Sequence, residues 1–294
     1  MDAYLELCFE LAGLDAAAVE QACLAGGAIA VTFSDAGDAP VLEPRPGEMR
    51  LWGRTQVQAL FGPASPALDC LLRLAAALGR EPGEIRLRML ADRVWEREWL
   101  RDFHARRFGR RLWICPTHED VAEEDAVLVR LDPGLAFGTG THASTALCLE
   151  WLDAQPVVPS PVIDYGCGSG VLGIAAARLG AAAVHAYDID PQALEATRQN
   201  ARRNGVAQRL RVHRAPHALP RRPRLILANI LAETLVTLAA WFSARTAPGA
   251  QLVLSGLLES QVAEVTAAYA TCFDVTLFGA RDGWACLVAQ RRAP

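Results

Sequence analysis

Hydrophobic and polar positions in the C-terminal half of the chain follow two alternating periods. Short apolar runs such as VVPSPVIDYG, AAAVHAYDID, LRVHRA and LILANIL alternate with helical stretches such as PQALEATRQNARRNG and TLVTLAAWFSART. Strands that alternate with helices of about 10–15 residues predict a parallel, doubly wound sheet. The tail FDVTLFGARDGWACLVAQRR has two strand patterns separated by ARDG, which suits a hairpin and is too short for a parallel crossover. We therefore expect an α/β fold whose last strand runs antiparallel.

The N-terminal part has a different pattern, which predicts a smaller α+β unit. Period-two alternation in AYLELCFEL, AIAVTFSD and EIRLRMLA predicts strands, whereas MRLWGRTQVQALFG is expected to form a strand and then a helix. Helical periodicity with a polar start and a glycine stop marks DAAAVEQACLAGG and SPALDCLLRLAAALGR as helices. Together these segments predict a four-stranded, two-helix sandwich over about residues 1–94.

The segment between the two patterns is expected to connect them. Trp95, Trp99 and Phe103 form one aromatic stripe at helical spacing, which favours a connecting helix over a surface that stacks on nucleic-acid bases. RLWICPTHED then reads as a strand that leads into the larger domain. The predicted division is an N-terminal domain at 1–94, a linker helix and lead-in strand at 95–130, and the α/β domain at 131–294.

Composition and charge narrow the class of protein. No basic segment followed by an apolar core opens the chain, and its apolar runs are too short or too interrupted to span a bilayer, so a cytosolic location is expected. The eight cysteines are scattered without metal-ligand spacing, so we expect reduced thiols and no metal site. All 29 basic side chains are arginines, the net charge is −4, and residues 1–60 carry nine acids against three arginines. This charge balance argues against an extensive nucleic-acid-binding surface and is compatible with a local basic patch.

A glycine-rich loop at 166–173 is the first candidate for chemistry. Gly166, Gly168, Gly170 and Gly173 follow a predicted strand and open a predicted helix, so backbone N–H groups and the positive helix end would face a ligand. Asp188 ends the next strand, 22 residues after Gly166, where its carboxylate could accept hydrogen bonds from ribose hydroxyls. Nicotinamide dinucleotides and S-adenosylmethionine are both bound by sites with this layout.

Asp164, directly before the loop, favours S-adenosylmethionine. A carboxylate at that point would repel a pyrophosphate, whereas it tolerates a ligand with an amino group and a sulfonium. The GxGxG spacing and the terminal hairpin agree with a methyltransferase sheet and weigh against a nicotinamide dehydrogenase. The alternative for Asp164 is a structural role as a cap of the loop.

Two further segments carry candidate residues. Asn229 ends the buried run LILAN. Its amide could accept a hydrogen bond from an amine nucleophile and so orient the lone pair of that amine. The alternative is that Asn229 caps the helix that follows. LDPGLAFGTGTHASTALCLEWL is a Pro/Gly loop before an amphipathic helix, and it contains His142. His142 is a candidate general base, with a structural histidine as the alternative.

The blocks LDPGLAFGTGTHASTALCLEWL, VIDYGCGSGVLGIAA, DIDPQAL, NARRNG and LANILAETL resemble the PrmA family, the methyltransferases of bacterial large-subunit ribosomal protein eleven. The interdomain segment WEREWLRDFHARRFGRRLWICP is also similar, so the resemblance covers most of the chain. It implies a seven-stranded, Rossmann-like class I methyltransferase sheet with an N-terminal substrate-recognition domain. It also implies trimethylation of lysine side chains and of an N-terminal amine, by a cytoplasmic monomer that requires no nucleic-acid or membrane partner.

The resemblance implies cofactor contacts at Thr145, Gly166, Asp188 and Asn229 in particular. The expected cofactor contacts are Phe137, Thr139, Thr145, Asp164, Gly166, Gly168, Gly170, Asp188, Ile189 and Asn229, and the expected catalytic residues are Asn229 and His142. The chain departs from the family at Ala143, where proline is usual, and at Glu233-Thr234, where Gly-Pro is usual. Two alternatives stay open: an inactive ribosome-assembly factor on the same fold, and an RNA or small-molecule methyltransferase, which the acidic N-terminal segment disfavours.

Overall fold

The computed structural model describes residues 3–37, 52–63, 65–91, 104–131, 140 and 142–293. The chain divides into two compact units, Met1–Glu98 and Trp99–Pro294. The finer division at residues 94 and 130 stays a prediction. The expected linker helix around Trp95, Trp99 and Phe103 lies largely outside the described residues. None of the helices in these ranges has the length and apolar character needed to cross a bilayer.

The first unit is a four-stranded antiparallel sheet with two helices. Its elements are β1 (Ala3–Glu10), α1 (Ala16–Ala25), β2 (Ala30–Asp35), β3 (Thr55–Phe61), α2 (Ala67–Leu78) and β4 (Arg86–Ala91), with strand order β2-β3-β1-β4. Asp15 starts α1 by accepting a hydrogen bond from the Ala18 N–H at 2.8 Å, and Gly79 ends α2 in the left-handed conformation. The predicted sandwich is therefore present.

One expectation for this unit is wrong. The second half of MRLWGRTQVQALFG is not a helix, because residues 55–61 form β3, paired with both β1 and β2. Burial alternates strictly along this strand, with Thr55, Val57, Ala59 and Phe61 buried. The period-two pattern and the cross-strand pairing override the helical preference of its glutamine, alanine and leucine residues.

The second unit begins with a small three-stranded sheet. It consists of β5 (Arg106–Phe108), β6 (Leu112–Cys115) and β7 (Val127–Arg130), in which β5 pairs antiparallel and β7 parallel to β6. The sequence indicated a single lead-in strand here. The turn between β5 and β6 is held by the buried carboxylate of Asp153, which accepts hydrogen bonds from the N–H groups of Arg111 (3.2 Å) and Leu112 (3.1 Å).

The main sheet of the second unit has seven strands in the order β10-β9-β8-β11-β12-β14-β13. They are β8 (Val162–Tyr165), β9 (Val184–Tyr187), β10 (Leu210–His213), β11 (Leu225–Asn229), β12 (Gln251–Leu258), β13 (Phe273–Arg281) and β14 (Trp284–Arg291). Strands β8 to β12 are parallel, and β14 is antiparallel to both β12 and β13. This confirms the predicted antiparallel last strand.

Helices cover both faces of this sheet. They are α3 (Ala143–Ala154), α4 (Val171–Arg178), α5 (Pro191–Arg203), α6 (Ala232–Arg245) and α7 (Val262–Tyr269). One apolar core lies between the sheet and α3 to α5 and contains Val162; the other lies under α6 and α7 and contains Ile163. The adjacent residues of β8 thus face opposite cores, as expected for a strand buried on both sides. The carboxyl ends of β8, β9 and β11 meet at one edge, and the candidate residues follow them.

Candidate active site

The glycine loop turns the chain from β8 into α4 through left-handed backbone. Gly166, Gly168 and Gly170 have φ of 74°, 52° and 82°, a region that residues with a Cβ rarely adopt. The turn is fastened by the Gly166 N–H, which donates to the carbonyl of Tyr187 at 2.8 Å, and by the Gly170 N–H, which donates to that of Cys167 at 2.7 Å. Conformation alone therefore requires glycine at these three positions.

Close packing adds a second requirement at Gly166. A Cβ at this residue would lie 2.3 Å from Cγ2 of Ile230, the residue that follows β11. At Gly170, a Cβ would lie 2.8 Å from Cγ2 of Thr197 on α5. The glycines thus let the connections after β8 and β11 approach each other, which brings the loop beside Asn229.

Asp164 lies behind the loop and is 1% exposed. Its Oδ2 accepts a hydrogen bond from the Gly173 N–H at 2.8 Å in the first turn of α4. A Cβ at Gly173 would lie 2.9 Å from that oxygen, so this glycine makes room for the carboxylate. Burial raises the pKa of Asp164 to about 7; the Gly173 hydrogen bond lowers the pKa, and the charge of Asp188 raises it. These contacts match the structural alternative for Asp164, and its contact with a cofactor stays a prediction.

Asp188 links the loop to the next connection. Its Oδ2 accepts from the Gly168 N–H at 2.9 Å and its Oδ1 accepts from the Asp190 N–H at 3.0 Å. A carboxylate oxygen has two lone pairs, so each oxygen keeps one for a further donor such as a ribose hydroxyl. The next residue, Ile189, is 89% exposed. Its side chain offers apolar surface beside Asp188, and its contact with the cofactor stays a prediction.

Asn229 and Thr145 come together across 84 residues of sequence. The Asn229 Nδ2 donates to Oγ1 of Thr145 at 3.0 Å. Thr145 lies in the first turn of α3 and is 1% exposed. Because the amide nitrogen is held in this way, the orientation of the side chain is set. The amide oxygen accepts no hydrogen bond within the described part of the chain. The pair places an amide oxygen at the carboxyl edge of the sheet.

His142 caps α3. Its Nδ1 lies 2.7 Å from Oγ of Ser144 and 3.3 Å from the Ser144 backbone nitrogen, and its ring packs edge-on against Trp284 with 4.7 Å between centroids. These contacts agree with the structural alternative for His142, and its role as a general base stays a prediction. Ala143 is the first helical residue, where either alanine or proline is compatible with a helix start. Phe137 and Thr139 lie outside the described residues.

Comparison with known proteins gives the family. The family model described as "Ribosomal protein L11 methyltransferase (PrmA)" matches residues 3–292. The chain belongs to this family. Its relatives include the ribosomal protein L11 methyltransferases of Methylococcus capsulatus, 49% identical over 93% of this chain and 94% of that protein, and of Erwinia tasmaniensis, 44% identical over 98% and 99%. The expected family is thereby confirmed, and with it the class of enzyme, a methyltransferase.

A solved structure agrees with the family assignment. The crystal structure of a ribosomal protein L11 methylase from Lactobacillus delbrueckii subsp. bulgaricus aligns with a TM-score of 0.60 and 31% identity, covering 65% of this chain and 100% of that one. The class I methyltransferase sheet expected from the sequence is present. The roles of the individual site residues are not tested by these likenesses and stay predictions.

Two buried polar residues of α5 brace the glycine loop of this PrmA-family chain. Thr197 Oγ1 donates to the carbonyl of Gly168 at 3.0 Å, and Asn200 Nδ2 donates to that of Ser169 at 2.9 Å. Sequence analysis missed both as site residues, although polar side chains on the buried face of an amphipathic helix were a usable signal. One turn further, Asn204 exchanges hydrogen bonds of 2.6 and 2.8 Å with the backbone N–H and carbonyl of Arg130.

A bulge in β12 holds the connection after β11. The pairing of β12 with β14 shifts register between Leu254 and Leu257. At the bulge, the carbonyl of Ser255 accepts from the Ile230 N–H at 3.1 Å, and Gly256 has φ of 80°. A Cβ on Gly256 would lie 2.5 Å from the Ile230 carbonyl oxygen. Sequence analysis did not predict this bulge, which places Ile230 against the glycine loop.

Proposed function

We propose that the protein transfers methyl groups from S-adenosylmethionine to amino groups of ribosomal protein L11, at lysine side chains and at the N-terminal amine. The observation that carries the proposal is the hydrogen bond between Asn229 and Thr145 beside the glycine loop. This hydrogen bond sets the orientation of the Asn229 side chain. Its amide oxygen then lies at the edge where open α/β sheets bind ligands. The printed names of the relatives supply the protein substrate.

The residues at this edge fit the groups of the cofactor. Asp188 is suited to the ribose hydroxyls, Ile189 to the adenine ring, and the backbone of Gly166, Gly168 and Gly170 to close approach of the methionine part. Asp188 gives the site negative charge, which complements a ligand with an ammonium and a sulfonium, and Asp164 is proposed as a further contact. When bound, that sulfonium supplies a methyl group with a neutral leaving group. Phe137 and Thr139 are proposed as further contacts.

The chain's contribution to the reaction is chiefly positioning of the amine. The Asn229 Oδ1 would accept a hydrogen bond from an N–H of the acceptor amine and so aim its lone pair, with Thr145 keeping the amide from turning. The attacking amine must be neutral, so one proton has to leave before each transfer. His142, at the start of α3, is the candidate to accept that proton.

The N-terminal domain at 1–94 is proposed to recognise the substrate. Residues 1–60 carry a net charge of −6, from nine acids and three arginines, which would attract a basic ribosomal protein. The protein would act in the cytoplasm as a monomer. A chain without residues 1–94 is expected to bind S-adenosylhomocysteine but to lose methylation of the intact substrate; full activity of that truncation would contradict the assignment.

The deciding experiment is incubation of the purified chain with labelled S-adenosylmethionine and unmethylated ribosomal proteins. Label in L11 alone, on lysine and N-terminal nitrogen, is the expected result, and Asn229→Ala should abolish it. Calorimetry provides the second arm, with S-adenosylhomocysteine and NADH as ligands. Binding of NADH without binding of S-adenosylhomocysteine would overturn the cofactor assignment, and label in RNA or in a small molecule would overturn the substrate.

A further inference from the structure

Arginines and no acidic residues occur in the connections at one edge of the seven-stranded sheet, whereas the other edge carries both signs, with Arg214 and Arg281 near its acids. Six connections lead into β8, β9, β10, β11, β12 and β13 from the edge opposite the glycine loop, at 155–161, 179–183, 204–209, 219–224, 246–250 and 270–272. Their sequences contain no aspartate or glutamate and four arginines. Acidic residues cluster at the other edge, where Asp188, Asp190, Glu233, Glu259 and Asp282 lie in connections or first helical turns.

Six arginines define what we call the basic edge: Arg202, Arg209, Arg221, Arg222, Arg224 and Arg245. Backbone hydrogen bonds fix the positions of their connections. The Arg222 N–H donates to the carbonyl of Arg245 at 2.9 Å, and the Arg224 N–H donates to that of Pro161 at 2.9 Å. Five of the six are exposed and Arg245 is partly exposed. No carboxylate of the described residues lies within ion-pair distance of any of them.

An aromatic side chain lies within the basic edge. The guanidinium of Arg245 stacks over the indole of Trp241, 4.2 Å from the ring centroid. Both line an open depression of about 500 Å³ together with Arg221, Arg222 and Ala244. The arginines are thus arranged around a concave, partly aromatic surface, and not scattered over a convex one.

Helix dipoles explain only part of this arrangement. Arg202 and Arg245 lie in the last turns of α5 and α6, where a cation is favourable in any case. Arg209, Arg221, Arg222 and Arg224 lie outside helices, so the dipole does not account for them. Like charges brought together without counter-ions repel one another, and a polyanionic partner would relieve that repulsion.

We propose that the basic edge binds the phosphate backbone of RNA. From Arg209 before β10 to Arg224 before β11 there are three strand spacings, about 14 Å at about 4.8 Å each. A row of separate guanidinium groups over that length suits a repeating polyanion better than a single carboxylate or phosphate, and arginine forks match phosphate geometry. The choice of RNA among polyanions rests on the proposed function, because a ribosomal protein substrate assembles with RNA. Since the basic edge lies opposite the catalytic edge, bound RNA would leave the active site accessible.

The test is fluorescence anisotropy of the full-length chain with a labelled RNA hairpin of mixed sequence, over a range of salt concentrations. The variant Arg221→Gln/Arg222→Gln/Arg224→Gln removes three charges from the basic edge. Arg54→Gln/Arg73→Gln/Arg88→Gln is the matched control, because it removes three exposed charges from the first unit. Three lost phosphate contacts should reduce the slope of log K against log salt by about 2–3 and weaken binding about 100-fold at about 0.1 M salt.

The proposal predicts that the basic-edge variant loses RNA affinity but retains the wild-type methylation rate on free L11, and that the control variant keeps its RNA affinity. It is overturned if wild-type protein does not bind the hairpin at low salt, or if both variants lose affinity equally. Tighter binding of a DNA duplex or of polyglutamate, or a dimer that the basic-edge variant abolishes, would assign the surface to another partner. Because RNA binding is measured without turnover, failure of the methylation assay would contradict the proposed function and not the RNA site.

Discussion

Replacing Asp188 with alanine tests the proposed cofactor site most directly. The carboxylate accepts one backbone hydrogen bond through each oxygen, from Gly168 and from Asp190, and would accept ribose hydroxyls through its remaining lone pairs. A lost hydrogen bond to a charged group costs roughly 1–3 kcal/mol. Asp188→Ala should therefore weaken binding of S-adenosylhomocysteine by about 5- to 150-fold, with additional loosening of the loop at Gly168.

Isothermal titration calorimetry with S-adenosylhomocysteine measures this change, and Asp190→Ala is the matched control. Asp190 lies two residues away and carries the same charge, but its Oδ1 caps α5 by accepting from the Gln192 N–H at 2.8 Å. The control should lower the free energy of unfolding by about 0.5–2 kcal/mol and leave the cofactor affinity nearly unchanged. An unchanged dissociation constant in Asp188→Ala, or an equal loss in both variants, would refute Asp188 as the ribose ligand.

Three other variants have defined outcomes. Gly166→Ala should destabilise the protein more than Gly205→Ala in denaturant unfolding, since both have positive φ but only Gly166 faces Ile230; equal losses would contradict this. Burial raises the pKa of Asp164 to about 7. The contribution of this group to the free energy of unfolding is therefore greatest below about pH 4 and decreases as the pH rises to about 7. Asp164→Asn should remove this decrease when the free energy of unfolding is measured between about pH 5 and 8. Thr145→Val should lower turnover about 10- to 100-fold, while Thr145→Ser retains it.

The main sheet was predictable because its signals are local and repeated. Each βα unit supplies its own apolar run and helical period, and ARDG is too short for anything but a hairpin. Gly166, Asp188 and Asn229 could be singled out because each stands at a strand end. β5 escaped notice because a strand of three residues is too short to show a period.

The parts of the site that sequence did not reveal depend on contacts between distant segments. Thr197 and Asn200 bind backbone carbonyls 29 and 31 residues away, and nothing in the helix itself identifies those acceptors. The bulge at Ser255 exists because the Ile230 backbone occupies the space beside Gly256. β3 was misread for a related reason: its cross-strand partners, and not its composition, determine its conformation.

Helix α3 sets the distance between two hydrogen-bonded contacts that its side chains make near its two ends. Thr145 in its first turn holds Asn229, and Asp153 near its other end holds the turn between β5 and β6. The eight intervening steps set an axial separation of about 12 Å and a fixed rotation of about 80° after two full turns. One inserted residue would lengthen the helix by only about 1.5 Å but swing one attachment about 100° away from the other. The number of residues between Thr145 and Asp153 is therefore constrained in its own right, in addition to the apolar character that the buried face of the helix requires.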